Sequence, residues 1–117
     1  MSDVLAKLFK ELEEWEAKWT NASPHERVRM KAELEADSKR HRLMCDYWRI
    51  KLRIRKGLAV KIPTTAKARV RTIASCCMVN ANNDLSTARS LMQQNALPYE
   101  YGAIEEAMQV ILLHSER

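Results

Sequence analysis

The chain has 117 residues, of which 46% are hydrophobic and 30% charged, and its formal net charge is +5. This length suits one domain of common size that can bury its own core. The chain has two glycines, and because phosphate-cradling loops and Rossmann turns are built on glycines, a nucleotide-dependent enzyme is not expected.

Apolar runs and cysteines bear on the cellular compartment. No apolar run reaches the length of a transmembrane helix, and the N-terminus lacks the order of a signal peptide. Cysteines at 45, 76 and 77 are odd in number and two are adjacent, which does not suit a disulfide framework. We therefore expect a cytoplasmic (intracellular) protein with reduced thiols and no membrane contact.

Positive charge is concentrated in residues 39–71. This stretch holds twelve Lys or Arg and one acid, Asp46, for a local net charge of +11. Residues 1–38 and residues 80–117 each carry a net charge of −3. Segregation this sharp predicts a polyanionic partner.

The first predicted helix rests on apolar residues at heptad spacing, with Ser2 as a possible cap and an end near Asn21. The glutamates of this segment lie off the apolar seam, so the opposite face is acidic. The seam consists of Leu5, Leu8, Leu12, Trp15 and Trp19.

A second, long helix is predicted to begin at Ser23 and Pro24. Ser23 suits the N-cap, Pro24 the first helical position, and Glu26 the other half of a capping box. No Pro or Gly follows until Gly57, so the helix should reach Lys56. We expect it to form a long antiparallel helical hairpin with the first helix over residues 3–56.

An alternative reading applies to residues 49–62. Basic and apolar residues alternate from Arg49 to Arg55, and a loop around Gly57 would place the apolar side chains on one face of a basic β-hairpin. In that case the fold would be α+β. In the helical reading, Gly57 is the left-handed residue that ends the helix.

The remainder of the chain predicts three more helices. One is capped by Thr64 or Thr65 and runs to Val79; the next is capped by Asp84, and the last opens at Pro98. The predicted fold class is thus all-α, with the long hairpin followed by a small three-helix bundle, residues 65–114. The domain prediction is a helical hairpin with a basic C-terminal half over 1–57 and a compact bundle over 58–117, together one cooperative domain.

The basic stretch predicts that the protein binds nucleic acid by contacting the phosphate backbone of the ligand, with RNA slightly preferred over DNA. The expected role is regulatory or inhibitory, without catalysis. A helix-turn-helix is disfavoured because its recognition helix would hold a single base, Arg89. The candidate phosphate contacts are Arg40, Arg42, Arg49, Lys51, Arg53, Arg55, Lys56, Lys67, Arg69 and Arg71.

A second function class stays open: a protein-binding adaptor or inhibitor that docks a helical face onto a larger enzyme or complex, with the basic stretch seeking an acidic protein surface. A homodimer is also expected. The candidate interface residues are Leu5, Leu8, Leu12, Trp15, Trp19 and Trp48.

His41 and Cys45 have the spacing of two metal ligands, but no motif supplies the other ligands. We therefore predict no metal, no cofactor and no catalytic residue.

Overall fold

The computed structural model describes residues 2–115, including all of their side chains except those of residues 2, 4 and 8. Its elements are the helices α1 (Ser2–Asn21), α2 (Pro24–Arg55), α3 (Ala66–Asn80), α4 (Leu85–Asn95) and α5 (Tyr101–Ser115), with a short 3₁₀ helix, Pro98–Glu100, before α5. Residues 2–115 contain no strand, which confirms the predicted all-α class.

The chain divides into two compact units between Ser38 and Lys39, inside α2. The sequence suggests instead a division after Gly57, at the loop that ends α2. Whether the chain unfolds as one cooperative domain stays a prediction.

The first unit consists of α1 and the first part of α2. Ser23 caps α2, because its Oγ accepts a hydrogen bond from the backbone N–H of Glu26 at 3.2 Å. The Arg27 side chain ties the two helices together: its Nε donates to the carbonyl of Trp19 at 3.0 Å, and its guanidinium lies 5.2 Å from the centre of the Trp19 ring.

The predicted close packing of α1 on α2 is not confirmed. None of the side chains described within residues 3–38 is buried. A cleft of about 580 Å³, lined among others by Trp15, Lys18, Met30 and Glu33, lies between the two helices. On the α2 side this cleft is lined by Glu26, Arg29, Met30 and Glu33, so three of its four α2 side chains are charged.

The end of α2 excludes the β-hairpin over 49–62, so that alternative reading was wrong. Gly57 has φ +73°, the left-handed conformation. The N–H of Gly57 donates to the carbonyl of Ile54 at 3.0 Å, and the N–H of Leu58 donates to that of Arg53 at 2.9 Å. These two bonds form a Schellman motif, which satisfies the last carbonyls of the helix and ends it.

The second unit is built around one apolar core. Three helices, α3, α4 and α5, pack against one another, and the end of α2 adds Leu43 and Tyr47 to the same cluster. The predicted bundle of three helices is therefore completed by a segment that the sequence pattern assigns to the hairpin. The remaining buried members of the core are Ile73, Ala74, Cys77, Met78, Ala81, Ala88, Met92, Ile104, Met108 and Ile111.

The turn between α3 and α4 relies on two asparagines. Asn82 and Asn83 have φ of 50° and 63°, a region that asparagine tolerates better than most residues. The predicted cap at Asp84 is confirmed, since its carboxylate accepts the N–H of Thr87 at 3.0 Å. The Thr87 hydroxyl donates to the same carboxylate at 2.6 Å. This bond, and then the bond from the Thr87 N–H, lower the pKa of Asp84.

Candidate nucleic-acid interface

The final four turns of α2 present most of the candidate cations. Leu43, Tyr47 and Ile50 are buried and define the inner side of this segment. Of the candidates on it, Arg40, Arg42, Arg49, Arg55 and Lys56 are exposed, and Lys51 and Arg53 are half-buried. The cations of this segment therefore share the outer part of one rigid element.

At 100° per residue, the outer face has a defined layout. Arg42, Arg49 and Arg53 are 7 and 4 residues apart, which places them within about 40° of one another along one edge, and Lys56 follows directly after the helix ends. Lys51 and Arg55 lie on the opposite edge. Between the two edges runs a strip of less polar side chains, which we call the outer strip: His41, Cys45, Trp48 and Leu52.

Arg53 has a structural role in addition to its charge. Its Nε and Nη2 donate to the carbonyl of Ala59 at 3.0 and 2.8 Å. These bonds hold the segment after Gly57 against the end of α2. Replacing Arg53 therefore removes a brace as well as a cation.

Asp46, the acid within residues 39–71, is already used inside the protein. Its Oδ2 accepts a hydrogen bond from Nε of Arg71 at 2.9 Å, and its Oδ1 lies 3.8 Å from Nη2 of Arg49. Because Arg71 is only 23% exposed and faces this carboxylate, its charge is largely committed to the contact between α2 and α3. Arg49 keeps 58% of its side chain exposed.

Arg69 is likewise committed. Its Nε and Nη2 donate to the two carboxylate oxygens of buried Glu100 at 2.7 and 3.2 Å, a bidentate pair. Glu100 also accepts the N–H of Leu97 at 3.0 Å. The bonds from Arg69, and then that from Leu97, lower the pKa of Glu100, and Glu100 raises the pKa of Arg69.

Four of the candidate cations have exposed side chains whose charged groups are not paired within the described part of the chain. Within residues 2–115, the side chains of these four make no hydrogen bond or ion pair with another residue. They are Arg42, Arg55, Lys56 and Lys67.

The predicted interface residues fall in different environments. On α1, Leu5 and Leu12 are each 52% exposed, whereas Trp15 and Trp19 are half-buried and stack on each other with centroids 5.2 Å apart. The side chain of Leu8 lies outside the described residues. On α2, Trp48 is 47% exposed.

Among the exposed apolar residues that were not predicted as interface, two lie beside predicted ones. Phe9 is 62% exposed on α1, and Leu52 is 55% exposed in the outer strip. Leu52 stands four residues after Trp48, and this spacing places both on one face of the helix.

The cysteines and histidines do not assemble a metal site in the described part of the chain. His41 Nε2 and Cys45 Sγ are 3.5 Å apart, and no group of three or more potential ligands forms there. All three cysteines are free thiols. Burial raises the pKa of Cys77 to about 11 and raises that of Cys76 as well, against the lowering influence of Arg49.

The helix-turn-helix reading gains no support from α4. Arg89 on α4 forms an ion pair with Glu105 of α5, so part of its charge is neutralised within the protein.

Among residues 2–115, no helix combines the length and apolar character needed to cross a membrane.

Comparisons of the sequence with family models, with curated proteins and with solved structures found no match.

Proposed function

We propose that this protein binds nucleic acid through the phosphate backbone, using the outer face of α2. The observation that supports this proposal is the imbalance of charge at that face. Within α2, residues 39–55 hold seven cations and one acid, and that acid is bound to Arg71 and lies beside Arg49. Exposed cations such as Arg42, Arg55 and Lys56 are therefore not neutralised by it.

Phosphates suit this arrangement better than bases do. Lys and Arg gain affinity for nucleic acid by releasing condensed counterions, and this gain needs no base-specific geometry. The proposed role is regulatory or inhibitory and non-catalytic. RNA is slightly preferred as the ligand because proteins recognise duplex RNA largely by its shape and its backbone. The cytoplasmic location remains part of this proposal.

The test is a binding titration with labelled duplex RNA, duplex DNA and single strands at about 50 and about 200 mM salt. Binding through several phosphates should weaken roughly tenfold or more over this range. Replacing Arg42, Arg55 and Lys56 together by Gln should lower the steepness of the salt dependence, by up to about 0.9 in log–log slope for each phosphate that is no longer neutralised. These three are chosen because none braces the fold.

The matched control removes three cations from α1. Lys7, Lys10 and Lys18 are exposed, and replacing them by Gln changes the net charge by the same amount. We expect this variant to bind as the unmodified protein does. Failure of the unmodified protein to bind any of the nucleic acids at low salt would remove the proposal.

The α1 seam favours a second proposal, that two copies of the chain associate. Leu5, Phe9 and Leu12 are each more than half exposed, and a second copy offers the same heptad seam to cover them. The alternative partner is a larger protein that accepts a helical face, as in an adaptor.

Light scattering at tens of micromolar tests the dimer. We expect twice the chain mass for the unmodified protein and a monomer for the variant with Leu5 and Leu12 replaced by Lys. Val28, which is also highly exposed but lies off the seam, serves as the control when replaced by Lys. A monomeric mass for the unmodified protein contradicts this proposal and leaves nucleic-acid binding untouched.

A further inference from the structure

Trp48 lies at the centre of the cationic face of α2 and is not part of the core. Nearly half of its surface, 47%, is exposed, although Tyr47 beside it is buried at 1%. The Tyr47 ring meets it edge-on, with centroids 5.2 Å apart and planes at 75°. Trp48 is thus held in place on one side while much of its indole remains accessible.

Two cations lie near this indole. The Lys51 ammonium lies over the Trp48 ring, 5.1 Å from its centre, in a cation–π contact that a stacking base would have to share or displace. Arg55 is seven residues, two helical turns, further along the same face. Leu52, which is 55% exposed, follows in the next turn. The outer strip therefore combines a flat aromatic surface with positive charge along both edges.

The side chains of the outer strip favour some classes of binding partner over others. An apolar protein face would cover Trp48 and Leu52, but it would also desolvate Lys51 and Arg55 without offering them an anion, which is costly. A duplex supplies anions but keeps its base faces stacked inside the helix. A single strand supplies both, because its bases are free to stack on an aromatic ring while its phosphates meet the flanking cations.

We propose that Trp48 is a stacking platform for an unpaired base, so that the preferred ligand of the α2 face is single-stranded nucleic acid. This inference rests on the phosphate binding of the proposed function, and it replaces the slight preference for duplex RNA by a preference for single strands. The phosphates adjoining the stacked base lie against Lys51 and Arg55 on one edge and the Arg42 edge on the other. Both single-stranded RNA and single-stranded DNA satisfy this chemistry.

Substitution of Trp48 tests the inference on the full chain. Trp48→Leu keeps an apolar side chain but removes the ring, and should weaken binding of oligouridine and oligothymidine roughly 5- to 100-fold, the effect of losing one stacked base. Binding of duplex RNA and duplex DNA should stay within about twofold. Trp48→Phe retains a smaller ring and should lose less on the single strands than Trp48→Leu does.

Fluorescence gives a second test that does not require a disruptive substitution. Replacing Trp15 and Trp19 by Phe leaves Trp48 as the remaining tryptophan of the three in the chain. Single strands should then quench its emission in a saturable way, and duplexes should not. Circular dichroism of each variant establishes that its helix content is retained.

The outcomes separate the two levels of the proposal. Binding to no nucleic acid at low salt removes both, and is the result expected if α2 docks on a protein. Salt-dependent binding without any loss in Trp48→Leu, or with equal loss on single strands and duplexes, overturns the stacking inference alone. Quenching by duplexes equal to that by single strands also overturns it.

Discussion

The hydroxyl of Tyr47 donates a 3.1 Å hydrogen bond to Oδ1 of Asn83, and Nδ2 of Asn83 donates in turn to Oγ of Ser115 at 3.0 Å. One asparagine in the turn between α3 and α4 thus joins the end of α2 to the end of α5. This link lies next to the proposed interface, because the Tyr47 ring also contacts the Trp48 ring.

Removing the Tyr47 hydroxyl should destabilise the protein. Tyr47→Phe leaves Oδ1 of Asn83 without this donor and should lower the free energy of unfolding by about 1 kcal/mol, the usual contribution of such a bond. Urea unfolding measures the change. Tyr99→Phe is the control, since Tyr99 is 83% exposed, and it should change little; equal effects of the two substitutions would contradict the role of the bond.

The two glycines should respond to alanine with opposite signs. A Cβ at Gly57 or at Gly102 meets no atom within 4 Å, so sterics with neighbours do not decide the result. Gly57 has φ +73°, where alanine costs about 1–2 kcal/mol. Gly102 lies in the first turn of α5, where alanine should add up to about 0.5 kcal/mol because it loses less backbone entropy on folding. Chemical unfolding of both variants tests this difference in sign.

Acid should weaken the protein partly through Glu100. Its pKa is lowered in the folded state, chiefly by the hydrogen bonds from Arg69, so the folded protein holds this proton less tightly than the unfolded chain. The stabilisation is therefore complete above the unfolded value of about pH 4.3 and is lost as pH falls through the lower folded value.

Unfolding by urea across this pH range tests the effect of Glu100. Glu100→Gln should be less stable near neutrality and should lose less stability on acidification than the unmodified protein. Exposed Glu106 supplies the control substitution to Gln, which should preserve the original pH dependence. An unchanged acid dependence in Glu100→Gln would show that the Arg69 pair does not contribute.

The three thiols should differ in reactivity. Cys45 is exposed, whereas Cys77 is buried with its pKa raised to about 11. Relative to an ordinary thiol of pKa about 8.5, Cys77 at pH 8 holds less than about one hundredth of the thiolate. A thiol reagent should label Cys45 quickly and Cys77 only on unfolding, and Cys45→Ser should remove the fast phase; rapid labelling of Cys77 in the folded protein would refute this.

Local sequence was enough to predict the five helices and several of their ends. It was wrong about a side-chain cap at Thr65, which makes no capping bond, and about Pro98, which opens a 3₁₀ turn before α5. Ser23 and Asp84 cap the helices that follow them, and Gly57 adopts the left-handed conformation that ends α2. These features depend on residues within about two turns of each other.

Packing between distant segments determined which charges remain available. Nothing in the spacing of Arg69 and Arg71 distinguishes them from Lys67, but their carboxylate partners, Glu100 and Asp46, lie 31 and 25 residues away in sequence. The sequence of α2 did not determine its inward side either, because apolar residues occur on more than one side of this helix. Packing against α3–α5 buried the side that holds Leu43 and Tyr47. Trp48 was left outside for that reason: contacts made in the tertiary structure, and not local propensity, select the buried face of a helix.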